Sequence, residues 1–444
     1  MDFLKKYFEF DKLGTNFRTE TIAGLTTFVS MAYILFVNAS ILSLDGIEGV
    51  IGMNAGAVFT ATAIAAAIGT FIMGIYAKYP IALAPGMGVN SFFAFTVVYA
   101  MGIPWQTALA GTFVSGIIFL IIALSGLREI VIDAIPRDLK LAISSGIGLF
   151  VTFIGLRTSG LIVASGNATL IELGSLTEPS VLITIFGVVA VVILLMLNVK
   201  GAIFIGMILT AIVGVITTHI APPTAIVGAV PSLAPTFGVA FGSLGEVFNA
   251  QMLIVVVTFL FMDFFDTAGT LIAVTEQAGL GDKDGKLPRA KKALVADATA
   301  TVFGSVLGTS TVTSFIESTA GIAAGGKSGF SAVITGLAFL LAMFFSPLLG
   351  VITSEVTAPA LIVVGIFMAS SLKNIDWDKL EIAVPAFFAV VLMPFTNSII
   401  IGLTVSMIFY PITMGFKGRI REINPVLYIL TILSIIYLVF GMSH

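Results

Sequence analysis

The sequence predicts an all-α polytopic membrane protein with about 14 transmembrane segments. Of its 444 residues, 58% are hydrophobic and only 10% are charged, whereas a soluble domain carries about a quarter charged residues. Apolar stretches of about 20 residues, the length that spans a bilayer as a helix, recur along the whole chain. We therefore expect most of the surface to face lipid, and the 45 glycines suit helices that pack closely there.

Composition also excludes several kinds of site. The absence of cysteine excludes disulfides and thiolate metal sites, and two histidines are too few for an imidazole-rich metal centre. We therefore expect no metal and no cofactor. A formal net charge of −3 gives no indication of nucleic acid as a partner.

Residues 1–19 precede the first apolar stretch. We expect no cleavable signal there, because residues 1–18 have no apolar core and their charges are scattered. Phe3, Leu4, Tyr7 and Phe8 recur at helical spacing. This pattern predicts a short interfacial helix, and a disordered tail is the alternative.

The apolar stretches follow one another with short polar connections. The uninterrupted ones are roughly 20–43, 55–77, 105–125, 138–157, 179–197, 200–218, 251–274, 290–307, 329–346, 356–371, 380–396, 398–416 and 425–441. Two others, 81–101 and 309–325, are interrupted by Gly, Pro, Ser and Thr. The last stretch is predicted to be either a further span or an interfacial helix.

The distribution of Lys and Arg predicts the orientation. With the N-terminus in the cytoplasm, the basic loops 128–140, 281–292 and 417–421 all lie inside. The opposite loops, such as 165–178 and 221–249, contain almost no basic residue. By the positive-inside rule, we expect a multi-pass protein of the cell membrane with a cytoplasmic N-terminus.

A weak internal duplication relates the two halves. Residues 65–69 and 300–304 share the pattern Ala-x-x-x-Gly, and the same offset places 84–86 opposite 319–321. An odd number of spans per repeat would give the halves opposite orientations, which is typical of secondary transporters.

The two interrupted stretches are predicted to be broken helices. In hydrocarbon, non-helical backbone survives only where protein or a cavity surrounds it. Half-helices that begin near Gly86 and Glu317 would direct unpaired backbone N–H groups at a ligand near the midplane. Ordinary re-entrant loops without a ligand are the alternative.

Acidic residues within the apolar stretches are candidates for function, because a buried carboxylate is costly in a membrane. Asp263 and Asp266 share one helix face, resist simultaneous ionisation, and could hold a proton or accept a ligand N–H. A hydrogen bond between helices is the alternative for this pair. Asp297 is either a proton relay or a structural cap.

Glu317, flanked by Ser314 and Ser318, is the strongest single candidate for a ligand contact. Asn90 carries both a donor and an acceptor and could bind the edge of a heterocycle. Phe92 and Phe265 are candidates for ring stacking, although 37 phenylalanines make coincidental neighbours common.

Three separated motifs carry a family resemblance. They are ALAPGMGVN (82–90), FFDTAGTLIAVTEQAGL (264–280) and TSFIESTAGIAAGGKSG (313–329), and the similarity extends over essentially the whole chain. Together they resemble the azaguanine-type purine permeases of the nucleobase–cation symporter superfamily.

The resemblance implies a uracil-transporter-type fold of two inverted repeats of seven spans, with broken segments 3 and 10. Residues 20–220 would supply core spans 1–4 and gate spans 5–7. Residues 251–424 would supply core spans 8–11 and gate spans 12–14, after an extracellular loop at 221–250. The apolar segment in 425–444 departs from that count.

The resemblance also implies proton-coupled import of hypoxanthine and guanine by alternating access, with adenine as a further candidate substrate. Its partners would be the purine base and the lipid bilayer, and a second copy of the chain in a homodimer is a candidate partner. The proton would be the coupling ion, carried by Glu317, Asp266 or Asp297. The residues expected to line the substrate site are Asp263, Glu317, Asn90, Asp266, Thr267, Gly86, Ser318 and Phe265.

Other functions fit the sequence less well. An anion carrier of the same fold, for sulfate or dicarboxylates, would favour a basic group where this chain has acids. An intramembrane enzyme is disfavoured because the sequence shows no nucleophile motif and no His or Cys constellation. A channel is a third alternative, but no ring of like charges is evident.

Overall fold

The computed structural model describes residues 2–44, 47, 49–125, 136–165, 171–278, 289–436 and 438–439. Eight helices in this part of the chain are long and apolar enough to cross a membrane, and several shorter apolar helices accompany them. This confirms the helical polytopic class. The count of 14 spans stays a prediction.

The first half of the chain is helical apart from three short strands. Its elements are α1 (Asp2–Tyr7), α2 (Phe10–Leu13), α3 (Phe17–Met31), α4 (Ile34–Ser43), α5 (Ala55–Ile72), β1 (Leu83–Pro85), α6 (Met87–Ser91), α7 (Trp105–Ser125), α8 (Arg137–Thr158), β2 (Ile162–Ala164), β3 (Ile171–Leu173), α9 (Pro179–Met196) and α10 (Ala202–Ile216). Two of these helices continue as π-helix, α5 over Met73–Ala77 and α6 over Phe92–Ala100.

The second half follows a similar plan. Its elements are α11 (Val239–Gly242), α12 (Ala250–Ala278), α13 (Ala290–Leu307), β4 (Val312–Ser314), α14 (Ser318–Ala323), α15 (Gly329–Ala342), α16 (Ser354–Ala369), α17 (Leu380–Phe395), α18 (Ile399–Phe416) and α19 (Pro425–Ile436). Short 3₁₀ helices cover Leu244–Val247, Met343–Val351, Ser370–Asn374 and Ile420–Glu422.

The N-terminal residues are helical, as the spacing of their apolar side chains predicted. Tyr7 donates to the carbonyl of Ile75, and Lys78 lies 3.4 Å from Glu9. Hydrogen bonds from Lys12 and Lys78 hold the pKa of Glu9 below its usual value. The segment is therefore attached to the end of the α5 span.

Two short strands cross within the bundle. β1 pairs antiparallel with β4, with Leu83 opposite Ser314, Ala84 opposite Thr313 and Pro85 opposite Val312. Each strand leads into a helix, and all six strand residues are buried. The pairing satisfies backbone groups that hydrocarbon could not. We call Leu83–Ala100 the first arm and Val312–Ala323 the second arm.

The predicted offset between the halves is wrong at the arms. The residue that precedes the helix is Gly86 in the first arm and Glu317 in the second. Residues 319–321, which the sequence placed opposite 84–86, lie inside α14. The reason is that the connection from α5 to β1 is longer than the connection from α13 to β4, so one offset cannot hold on both sides of it.

The helices pack in two groups. The first surrounds the arms and contains α3, α4, α5, α7, α12, α13 and α15. The second contains α8, α9, α10, α16, α17 and α18, with α19 packed on α18. The arms lie in the first group, and α6 and α12 also contact α8 of the second.

Residues 221–249, which connect the two groups, are not a free loop. Thr60 donates to the carbonyl of Pro231, and the backbone N–H of Gly238 donates to the carbonyl of Val306. Thr107 also donates to Glu246. These bonds attach the segment to α5, α7 and α13 of the first group.

Candidate functional site: two acidic pairs at the strand crossing

The site lies where the two arms cross and α12 passes beside them. A Cβ atom built on Gly86 would lie 3.2 Å from Oδ2 of Asp266 and only 2.5 Å from Cγ2 of Thr313. Glycine is therefore required at this position because the facing strand and α12 leave no room for a side chain. Asp266 consequently lies at the start of the first arm's helix.

Glu317 lies at the corresponding start of α14. Its Oε1 accepts a hydrogen bond from the hydroxyl of Tyr33 at 2.6 Å. Tyr33 occupies the break between α3 and α4, and its side chain is buried. The break thus allows a phenol from the first span to reach the second arm.

Asp266 and Glu317 form the accessible acidic pair. Both are only partly buried, and they lie at the starts of the two arms' helices, Asp266 against Gly86 and Glu317 directly before α14. In the part of the chain that the structure describes, neither forms an ion pair with Lys, Arg or His. Two acids without a basic partner attract a proton or a ligand with N–H donors.

Asp263 and Asp297 form the enclosed acidic pair, with no exposed surface. Oδ2 of Asp263 accepts from Thr301 at 3.0 Å, and Oδ1 of Asp297 accepts from Ser314 at 3.2 Å. The other oxygen of each carboxyl has no hydrogen-bond partner among the described residues. This pair lies behind the second arm, not on an accessible surface.

Two threonines fasten the strands of the arms. The hydroxyl of Thr70 accepts from the N–H of Leu83 at 2.9 Å and donates to the carbonyl of the same residue. The hydroxyl of Thr301 accepts from the N–H of Val312 at 3.1 Å and lies 3.0 Å from that residue's carbonyl. The same clamp therefore occurs once in each half.

Several predicted site residues support the arms. Asn90 is fully buried in α6 and accepts a hydrogen bond from Ser310. Ser318 accepts from the N–H of Ala82 at 3.0 Å, which joins the second arm to the residue directly before the first arm. The hydroxyl of Thr267 lies 2.9 Å from that of Thr313 and holds α12 against β4. Whether these residues also touch a ligand stays a prediction.

The two aromatic candidates differ in what can be said of them. Phe92 is buried and packs edge-on against Phe259, with ring centroids 5.1 Å apart. The side chain of Phe265 lies outside the described part of the structure.

Sequence reasoning missed Tyr33, Thr301 and Asn38. Asn38 is fully buried and donates to Thr62 at 2.7 Å and to Thr309 at 2.8 Å. A polar side chain within an apolar span is the signal that could have found Tyr33 and Asn38. No local pattern marks Thr301, since threonines are frequent in these helices.

Acids at a crossing of two short strands inside a helical bundle are typical of secondary membrane transporters. The chain belongs to the permease family, whose model matches residues 18–410. Its relatives include guanine/hypoxanthine and adenine permeases, which confirms the resemblance to the purine permeases, and these relatives are transporters and not enzymes.

Similar proteins cover the chain almost completely. The guanine/hypoxanthine permease PbuG of Bacillus subtilis is 56% identical over 98% of this chain and 100% of its own length. The adenine permease AdeP of Escherichia coli is 42% identical over 99% of this chain and 97% of its own length.

Among solved structures, the transmembrane domain of the cyanobacterial bicarbonate transporter BicA matches with a TM-score of 0.60. It is 16% identical and covers 87% of this chain and 96% of its own. At that identity the likeness shows the fold alone.

Proposed function

We propose that this protein imports purine nucleobases together with a proton, namely hypoxanthine and guanine, with adenine as a further candidate substrate. The observation that carries the proposal is the accessible acidic pair, Asp266 and Glu317, at the crossing of the arms. The names of the relatives support the substrate class, because they are guanine/hypoxanthine and adenine permeases.

The chemistry of the pair suits an uncharged purine. A purine offers ring N–H donors, and an ionised carboxylate accepts hydrogen bonds strongly. A carboxyl that exchanges its proton binds the base differently in its two protonation states. Binding of base and proton can thereby be coupled without a metal or an organic cofactor.

The two groups of helices provide the moving parts. In the proposed mechanism, the first group is the core, with spans 1–4 and 8–11, and carries the site. The second group is the gate, with spans 5–7 and 12–14, and the core rocks against it. The halves 20–220 and 251–424 are then inverted repeats in a fourteen-span fold.

The proposed setting is the cell membrane with residues 1–19 in the cytoplasm and 221–250 outside. The α19 segment, within 425–444, adds to the fourteen spans on the gate side. A homodimer would form through gate helices, whose outer faces carry exposed apolar residues such as Ile193 and Ile212.

An anion carrier is the second candidate, because the solved structures of this fold include a bicarbonate transporter. The site argues against it. An anion at the crossing would face Asp266 and Glu317 without a basic partner among the described residues.

Uptake of radiolabelled hypoxanthine tests the proposal in cells that lack their own purine permeases. Unlabelled guanine, adenine, uracil and sulfate serve as competitors, with and without a protonophore. Competition by purines and loss of uptake with the protonophore are expected. Uptake that persists with the protonophore would mean that an ion other than the proton is coupled to transport. Inhibition by sulfate would favour the anion carrier.

A further inference from the structure

The first span, formed by α3 and α4, contacts the second arm and its flanking residues at three depths. At the inner end, Glu20 is fully buried, and its Oε1 accepts from the N–H of Lys327 at 3.0 Å. Both of its oxygens also accept from the N–H of Ser328, at 3.2 and 3.3 Å. The carboxylate therefore fixes the turn between α14 and α15.

At the outer end, Asn38 fixes the residues that lead into β4. The hydroxyl of Thr62 donates to the carbonyl of Val58, so it must accept from Nδ2 of Asn38. This determines the orientation of the amide, whose Nδ2 also donates to Thr309 at 2.8 Å. The start of the second arm is thus attached to the first and second spans together.

Between these two points, α14 lies directly on α3. A Cβ atom on Gly321 would lie 2.5 Å from the carbonyl oxygen of Ala23 and 2.1 Å from the hydroxyl of Thr27. The backbones therefore touch, and the second arm cannot shift without moving the first span. Tyr33 lies at the break between α3 and α4, and from there its hydroxyl binds Glu317.

Each arm is contacted at the start of its helix by a residue from the opposite half of the chain. Asp266, from the second half, lies against Gly86 at the start of the first arm's helix. Tyr33, from the first half, binds Glu317 at the start of the second arm's helix. Tyr33 is therefore the counterpart of Asp266 in position, with a phenol in place of a carboxylate.

We propose that Tyr33 is a positioning residue for Glu317, and that Glu20 and Asn38 hold the second arm at its two ends. The phenol donates to Oε1 and leaves Oε2 of Glu317 for a ligand N–H or a proton. The orientation of this carboxylate is then set by the first span. The consequence for purine uptake rests on the proposed function, whereas the mechanical consequence does not.

The chain contains no cysteine, so the mechanical consequence can be measured cleanly with one introduced thiol. Ile316 adjoins Glu317 and is 48% exposed. We suggest Ile316→Cys in the purified, reconstituted protein, labelled with a water-soluble maleimide, alone and combined with Tyr33→Phe or Asn38→Ala. Tyr7→Phe is the matched control, because its hydroxyl binds only the carbonyl of Ile75 at the inner end of the second span.

Tyr33→Phe and Asn38→Ala are expected to change the labelling rate severalfold, and Tyr7→Phe to leave it unchanged. In uptake assays without the thiol, Tyr33→Phe should raise the half-saturating hypoxanthine concentration roughly tenfold, with a smaller effect on maximal rate. A role in stability alone would instead lower abundance and maximal rate.

The proposal would be overturned if Tyr33→Phe gave the same labelling rate and the same half-saturating hypoxanthine concentration as Tyr7→Phe. If Asn38→Ala fails to fold, Tyr33→Phe still decides, since it removes only the hydroxyl group and keeps the buried ring. Should the parent protein take up no purine, the proposed function fails, while the labelling rates continue to test the role of the first span.

Discussion

The two arms share a backbone plan and differ in chemistry. Each has a three-residue strand fastened by a threonine of the preceding helix, Thr70 or Thr301, and each strand leads into a helix. The first arm is apolar at its turn, with Pro85 and Gly86, and its helix continues through π-helix to Ala100. The second arm places Glu317 at its turn, and its helix is short.

All four acids of the candidate site come from the second half of the chain. Asp263 and Asp297 stand behind the second arm, and Glu317 belongs to it. The first arm contributes Gly86, whose missing side chain allows α12 to pack closely and places Asp266 at the crossing. The two halves therefore share a strand-and-helix frame and differ in side chains, because the second half supplies the acidic groups.

The largest effect is expected from removing the charge of the second arm. Glu317→Gln keeps the size of the side chain but loses the ionisable group, so hypoxanthine uptake should fall by roughly a hundredfold at equal membrane abundance. Glu178→Gln is the control, since Glu178 is exposed at the start of α9 and forms no side-chain cap. Unchanged uptake in Glu317→Gln would refute the role of the second arm.

The next effect tests the steric role of the first arm. In Gly86→Ala, the added methyl group would lie 2.5 Å from Thr313 and must displace β4 or α12. Overpacking of this kind costs about 1–3 kcal/mol, and we expect uptake to fall about tenfold. Gly242→Ala, where no atom lies within 4 Å of the new group, is the matched control. Normal uptake in Gly86→Ala would show that the crossing tolerates movement.

The two clamps should differ in strength. Thr301→Val leaves the N–H of Val312 without its acceptor and also removes the donor to Asp263, whereas Thr70→Val affects Leu83 alone. Each unsatisfied buried group costs about 1–3 kcal/mol, so Thr301→Val should lower the melting temperature of the purified protein more.

Thr299→Val is the control for the clamps, because its hydroxyl binds only its own helix. Equal melting temperatures for the two clamp variants would mean that the enclosed acids add nothing to the second clamp.

The smallest effect concerns the link between the arms. Ser318→Ala removes the acceptor for the buried N–H of Ala82, a single loss at the low end of about 1–3 kcal/mol because the bond from Phe315 to the carbonyl of Ala82 remains. A slightly lower melting temperature with nearly normal uptake is expected. Thr319→Ala, whose hydroxyl binds its own turn at Ile316, should show no change. A large loss of uptake in Ser318→Ala would instead support direct contact with the substrate.

Much of the site could be predicted from the sequence. Asp263, Asp266, Asp297 and Glu317 stand out because carboxylates are rare in apolar stretches, and Gly86 lies in an interrupted one. Tyr33 was missed because nothing nearby in the sequence marks its partner, which is far away in the chain.

By itself, the sequence determined the helical membrane class, the approximate positions of the helices and the identity of the acids, because hydropathy and the cost of a buried charge are local properties. Only the tertiary structure separated the accessible pair, Asp266 and Glu317, from the enclosed pair, Asp263 and Asp297. The reason is that exposure depends on which distant segments cover a carboxyl. The pairing of β1 with β4 places those segments, and it joins residues that lie more than two hundred positions apart.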